Sequence, residues 1–292
     1  NDLLESIIQK INVTLLDNLK FDLKLLEILS KLLETTSENK DDFAEISTPI
    51  NLLCEISENI TNDLFEKSPT FLDYSCGKGN IITMIFYKYY NSLFDKYDDK
   101  KILCEFICNK IYFADINPLN VFITLHKLKR ICKFICNEDD FKYNYYIGNS
   151  FELDLMKIWN ISKIDIIFVN PPFEDKNKRN TTPHKLWIDF TLKSFNDWLS
   201  QDGYLIQISP SSFSSPSSKI LKLFREKNLH QLHFNKENYF KNISSTMSWY
   251  IIQNNNISCT TNINNLYSLN INNELLYIPN DYNPISLSIH KK

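Results

Sequence analysis

The apolar run at residues 164–169 ends at Asn170-Pro171-Pro172-Phe173, and these four residues carry the clearest chemistry in the chain. Proline has no N–H to give a β ladder and restricts the residue before it to extended geometry, so Asn170 and Pro171 are held stiffly where the strand must stop. At the carboxyl end of a parallel strand, the Asn170 amide oxygen and the Pro171 carbonyl face the crevice where α/β folds bind ligands. Two fixed acceptors suit an –NH2 group, and Phe173 offers an aromatic face to a flat base or amide. The chemistry these residues point to is transfer to an amine nitrogen.

Glycine marks a second cluster. The chain has only 4 glycines, so their placement is informative. Gly77 and Gly79 fall in FLDYSCGKGN, after an apolar strand and before a helix, and Gly148 ends the run YNYYIG. At strand carboxyl ends a bare backbone permits close ligand approach or positive φ. Gly203 reads as a turn. The segment Asp73-Tyr74-Ser75-Cys76-Gly77-Lys78-Gly79-Asn80 contains G-x-G, but it lacks both the full dinucleotide fingerprint and the Gly-Lys-Ser/Thr ending of a phosphate loop. An acidic Asp73 disfavours a diphosphate and suits a ligand carrying an ammonium, such as the methionine part of S-adenosylmethionine. Asp115, closing IYFAD, is placed to accept hydrogen bonds from ribose hydroxyls, or alternatively to cap the helix begun by Asn117-Pro118.

The elements that must position these residues follow from periodicity. Residues 1–36 carry leucine and isoleucine at helical spacing and predict a helical pair. A polar stretch, Thr35 to Asp42, breaks the pattern. Thr48-Pro49 then reads as an N-cap with proline at the first helical position, opening a helix to about Phe65. From Thr70, short apolar strands alternate with helices: TFLDY, IYFAD, YNYYIG, IDIIFV and GYLIQIS. That order predicts a doubly wound, mostly parallel α/β sheet of Rossmann-like type with an N-terminal helical extension. Residues 232–234 and 248–252 read as two late strands, one of them antiparallel. The expected division is 1–42 helical, 43–253 catalytic and 254–292 a short tail with weak strand signals.

Composition narrows the function classes. With 292 residues, 43% hydrophobic and 23% charged, the chain allows one large α/β domain with an appendage or two small domains. No run approaches the ~20 apolar residues that span a bilayer, and no leader-like N-terminus is present, so a cytoplasmic protein without membrane contact is expected. A net charge of −3 excludes bulk electrostatic affinity for nucleic acid and leaves only local basic patches to do that work. Lys176, Lys178 and Arg179, with His184 and Lys185 behind them, form one patch directly after the motif; Lys127, Lys129, Arg130 and Lys133 form another, read equally well as a solvated helix face. Among the 7 cysteines, Cys104/Cys108 and Cys132/Cys136 form two C-x3-C pairs set among Ile, Leu and Phe. Structural zinc sites favour C-x2-C knuckles in polar loops, so buried free thiols and no metal are expected.

Taken in order, these segments resemble the class I S-adenosylmethionine-dependent amino-methyltransferases, in particular the gamma-class adenine-N6 DNA methyltransferases of restriction-modification systems, over about residues 43–253. Thr48-Pro49 resembles the cofactor-contacting segment of that family and FLDYSCGKGN its methionine-binding loop (Asp73, Tyr74, Ser75, Cys76, Gly77, Gly79, Asn80). Asp115 with Ile116 resembles the ribose-binding acid and its neighbour, Asn149-Ser150-Phe151 the segment at the cofactor adenine, and Asn170–Phe173 the catalytic motif. Lys185-Leu186-Trp187, GYLIQISPSSF and residues 243–252 resemble later parts of the same enzymes. Two departures stand out: Asn149 replaces the usual Asp, and residues 91–110 are an insertion. The resemblance implies S-adenosylmethionine as cofactor, with Asn170 also near it, and no catalytic metal. It also implies direct methyl transfer to the exocyclic amine of an extruded adenine.

Residues 254–292 are fewer than the ~100 of a typical domain, so recognition of DNA is expected from the N-terminal helices, surface loops or a partner subunit. The same motif resembles those of RNA adenine and protein glutamine methyltransferases, and a catalytically idle cofactor-binding subunit is the alternative of another class.

Overall fold

A computed structural model describes residues 2–16, 21–32, 47–173, 185–215, 217–234, 239–240, 246–257, 260–271 and 277–279. The chain divides into two compact units, Asn1–Ile161 and Ser162–Lys292.

The first unit opens with the expected helical pair, α1 (Asp2–Leu16) and α2 (Leu23–Leu32). The single helix expected up to Phe65 is instead two, α3 (Ile50–Glu58) and α4 (Asn62–Glu66). Pro49 is the N-cap of α3, one position earlier in the helix than expected, and Thr48 lies outside it. The physical reason is a competing bond: the Thr48 carbonyl accepts from the Asn80 side chain, at 3.0 Å, while the Pro49 carbonyl takes the first helical bond from Leu53 N–H, at 3.1 Å. Strand β1 (Phe71–Asp73) leads through the glycine loop into α5 (Asn80–Leu93). The insertion is largely one helix, α6 (Lys100–Lys110), with Asp99 accepting from Lys101 N–H as its cap. Then follow β2 (Ile111–Asp115), α7 (Pro118–Cys136), β3 (Asn144–Ile147) and α8 (Leu155–Trp159). The strands pair in parallel in the order β3-β2-β1.

Helix α7 is capped by Asn117, whose side chain accepts from Leu119 N–H, and has proline at its first position. Three of its contacts bear on the site. Ile123 packs with Ile11, Leu25 and Leu29 of the N-terminal pair, all fully buried. Thr124 and Lys127 meet the glycine loop. The Cys132 Sγ lies 3.7 Å from Cys108 Sγ of α6. The two cysteine pairs are therefore brought together as free thiols: contact with the Cys132 thiol, then burial, pushes the Cys104 thiol well above its ordinary range. Among the described residues no group of three or more candidate ligands is arranged to hold a metal ion.

The second unit contains β4 (Ile164–Val169), α9 (Leu186–Lys193), β5 (Leu199–Pro210), α10 (Lys219–Glu226), β6 (Asn228–Phe234), β7 (Met247–Gln253), β8 (Thr260–Ile263) and β9 (Tyr267–Asn270). Its strand order is β4-β5-β7-β6-β8-β9, with β4 parallel to β5 and β7 antiparallel to both of its neighbours. The late strands are thus antiparallel to each other, and the weak signals after Gln253 are a strand pair. Gly203, expected in a turn, lies inside β5. The strand is irregular there: Asp202 has φ +62°, and a Cβ at Gly203 would stand 2.7 Å from the Asp165 carbonyl oxygen. The Rossmann-like α/β class expected from the sequence is the class observed, and among the described residues no helix is long and apolar enough to cross a membrane.

Candidate functional site

In the first unit the segments singled out in the sequence gather around one loop. After β1 the chain turns on the Asp73 side chain, whose Oδ1 accepts from Ser75 N–H at 3.1 Å. Cys76 N–H donates to the Ala114 carbonyl, 2.9 Å, tying the loop to β2. Gly77 N–H donates to Asp115 Oδ2 at 2.9 Å, and Asn117 N–H to Asp115 Oδ1 at 2.8 Å. Asp115 thus ties the loop to the start of the helix that follows β2. The helix cap is Asn117, so the capping alternative for Asp115 does not hold. Gly148 N–H donates to the Asp115 carbonyl, 3.0 Å, and Ser150 Oγ to the Tyr74 carbonyl, 2.6 Å, so the end of β3 joins the same cluster.

Gly79 is required by geometry. It sits at φ +77° as the N-cap of α5, and a Cβ there would lie 2.6 Å from Thr124 Oγ1. Asn80, 5% exposed, points its amide back: Nδ2 donates to Ser30 Oγ (2.9 Å), Ser47 Oγ (3.2 Å) and the Thr48 carbonyl (3.0 Å). The Thr48-Pro49 segment and α2 are thereby fixed to the loop. Ile116 is 64% exposed beside Asp115, an apolar surface open to a flat ligand. Asn149 is exposed; its Oδ1 accepts from Phe151 N–H and its Nδ2 donates to Glu152.

The loop is electrostatically unusual. Burial pushes the Asp73 carboxyl well above the usual carboxylate range, with Asp115 adding to the rise, and Asp73 Oδ2 meets no hydrogen-bond partner among the described residues. Burial also raises Asp115, against the bonds from Asn117, Gly77, Asn120 and Ile116 that lower it. Burial raises the Cys76 thiol well above its ordinary value.

Lys127 is the residue the sequence misplaced. Its cluster reads as a basic patch or solvated helix face, yet it is 1% exposed. Its Nζ donates to the Lys78 carbonyl at 2.9 Å and to Asn80 Oδ1 at 3.2 Å. Burial lowers its pKa to about 7. Its spacing of three from Thr124 and four from Ile123, both buried, was the available signal. Lys129, Arg130 and Lys133 are half-buried.

In the second unit β4 ends at Val169, and Asn170, Pro171, Pro172 and Phe173 follow at once, Pro171 buried and the others half-buried. Val169 pairs with Gln207 of β5, which pairs on its other side with Tyr250 of β7. Gln207 is fully buried; its Nε2 donates to the Thr191 hydroxyl of α9 at 2.9 Å, and that hydroxyl donates to the Trp187 carbonyl at 2.7 Å. The strand bearing the motif is therefore backed by a satisfied buried polar network, the kind that fixes a unique packing. Lys185 is exposed at the start of α9. Lys176, Lys178, Arg179 and His184 lie outside the described residues. The serine-rich stretch at residues 210–218 includes a short 3-10 helix, Ser211–Ser214, and Ser218 caps α10.

No family model matches the chain, and no curated protein matches it in sequence. Solved structures share its fold. A candidate class I S-adenosylmethionine-dependent methyltransferase from Listeria monocytogenes is similar with a TM-score of 0.55 and 13% identity, over 84% of this chain and 72% of that one. The modification subunit of a candidate type I restriction enzyme from Vibrio vulnificus is similar at TM-score 0.53 and 16% identity, over 83% of this chain and 52% of that one. The type IIL restriction-modification enzyme MmeI, solved in complex with DNA, is similar at TM-score 0.57 and 13% identity, over 89% of this chain and 43% of that one. The chain thus spans about half, or less, of the two restriction enzymes.

Proposed function

We propose that this chain binds S-adenosylmethionine and transfers its methyl group to the exocyclic amine of adenine in DNA. The observation that carries the reading is the abrupt end of β4 at Val169 followed by Asn170-Pro171-Pro172-Phe173. Support comes from the loop of the first unit. Asp73 offers a buried acid to the donor's ammonium, Asp115 a carboxylate beside the loop to its ribose hydroxyls, and Ile116 an exposed apolar surface to its adenine, near Asn149, Ser150 and Phe151. Thr48, Pro49 and Asn80 hold the loop's far side. MmeI, of similar fold, is solved with DNA, which favours DNA as the polymer.

When bound, the donor supplies an electrophilic methyl on a sulfonium. The Asn170 amide oxygen and the Pro171 carbonyl accept the two amine hydrogens and turn the nitrogen lone pair toward that methyl, while Phe173 stacks on the extruded base. Positioning of this kind is worth up to ~7–11 kcal/mol in well-oriented systems. Lys176, Lys178, Arg179 and Lys185 contact DNA phosphates. A partner subunit supplies sequence specificity, as the likeness to a modification subunit suggests.

The test is Asn170→Ala. Removing one of two acceptors is expected to lower the transfer rate by ~100-fold or more, the scale seen on deleting one positioned hydrogen-bonding group at a reacting centre, with donor affinity within a few-fold of wild type by calorimetry. Undiminished turnover would refute the assignment of Asn170.

A further inference from the structure

A fully buried lysine is rare, and one without a carboxylate partner is rarer. Lys127 reaches the glycine loop from α7 and makes its hydrogen bonds to neutral acceptors, the Lys78 carbonyl and Asn80 Oδ1. The charged or titratable groups acting on it are Cys76 and Lys78, both of the loop, and neither supplies a negative charge while the Cys76 thiol stays protonated. Immediately after the loop begins α5, a 14-residue helix, whose N-terminus adds positive potential of its own. Two carboxylates, Asp73 and Asp115, stand on the strand side of the same loop, and Asp73 Oδ2 is buried and meets no hydrogen-bond partner among the described residues. Among the described residues the loop thus has an acidic pole lacking a cation and a basic pole lacking an anion. An α-amino acid zwitterion supplies both, its ammonium to Asp73 and its carboxylate to the α5 end.

We propose that Lys127 is a positioning residue that makes the glycine loop selective for the carboxylate of the donor's amino-acid part, by pinning the Lys78 carbonyl and Asn80 and by supplying the positive charge behind them. This rests on the methyl-donor reading and deepens it. Lys127 acts through the loop, since its own side chain is enclosed. It also couples α2 and the Thr48 segment to the site, because the Asn80 amide it holds by the oxygen is held by the nitrogen to Ser30, Ser47 and the Thr48 carbonyl.

The experiment compares two ligands that differ only in the carboxylate, S-adenosylhomocysteine and its decarboxylated analogue, by calorimetry. Wild type is expected to favour the carboxylated ligand at least tenfold at pH 6. In Lys127→Met, which keeps the bulk of the side chain and removes the charge, the preference is expected to fall to within threefold, with affinity for the decarboxylated ligand little changed. A uniform loss for both ligands, or a preference that survives, overturns the proposal. If the variant does not fold, wild type alone decides: its preference is expected to decline between pH 6 and pH 8.5 as Lys127, with a pKa of about 7, loses its charge, and a flat preference overturns the proposal. Wild type binding neither ligand would instead refute the methyl-donor reading itself, and this assignment with it.

Discussion

Asp73 combines a buried carboxylate, an Oδ2 without a hydrogen-bond partner among the described residues and a raised pKa, a state a protein holds only at a cost to its stability. Because the folded-state pKa lies above the unfolded one, the folded protein binds the extra proton, so this residue's contribution worsens as pH rises from the unfolded value of 3.8 through the raised folded value and is constant above it. Asp73→Asn keeps the oxygen that accepts from Ser75 N–H and removes the charge. It is expected to stabilise the protein at pH 7 by roughly 0.5–2 kcal/mol in denaturant melts, to lose that advantage in acid, and to lose donor binding. A melt showing lower stability at neutral pH would contradict this account of Asp73. Gly79→Ala is expected to go the other way. The φ of +77° and the 2.6 Å approach to Thr124 Oγ1 leave no room for a methyl, and a loss of about 1–3 kcal/mol is the usual scale for such strain; an unchanged unfolding midpoint would show that the loop relaxes freely.

Helix α7 does the most to assemble the first unit, joining the N-terminal pair through Ile123, the loop through Thr124 and Lys127, and α6 through Cys132. Ile123→Ala opens a cavity against Ile11, Leu25 and Leu29 and is expected to cost about 2–5 kcal/mol, read by urea denaturation; a cost below 1 kcal/mol would mean that the helical pair is not firmly seated on α7. Most elements were legible in the sequence because their signals are local: the short apolar run in IYFAD, prolines after Val169, glycines after Asp73. What escaped the sequence depends on contacts between distant segments. Thr48 fails to cap α3 because Asn80, 32 residues away, takes its carbonyl. Lys127 looks like surface charge until Lys78 and Asn80 are seen to enclose its ammonium. Gly203 reads as a turn, but the strand runs through it past the Asp165 carbonyl. The loop cluster was readable as a set of segments, and their mutual hydrogen bonds were not.

At the scale of the whole molecule, the proposed roles are separate: the methyl donor is assigned to the first unit and the acceptors for the amine to the second. The basic residues after the motif are proposed to steady the polymer. Neutralising Lys176, Lys178 and Arg179 together is expected to flatten the salt dependence of DNA binding by about three counterions, as counterion release predicts for three lost phosphate contacts; an unaltered slope in a filter-binding titration would remove those residues from the interface. The most direct measurement offers tritium-methyl S-adenosylmethionine to the protein with duplex DNA, RNA and protein extract in separate reactions, followed by digestion of the labelled polymer. The account predicts label in DNA, recovered as N6-methyldeoxyadenosine and lost in Asn170→Ala. Label in RNA or protein would keep the chemistry and contradict the substrate, and no transfer to any polymer would contradict the central claim.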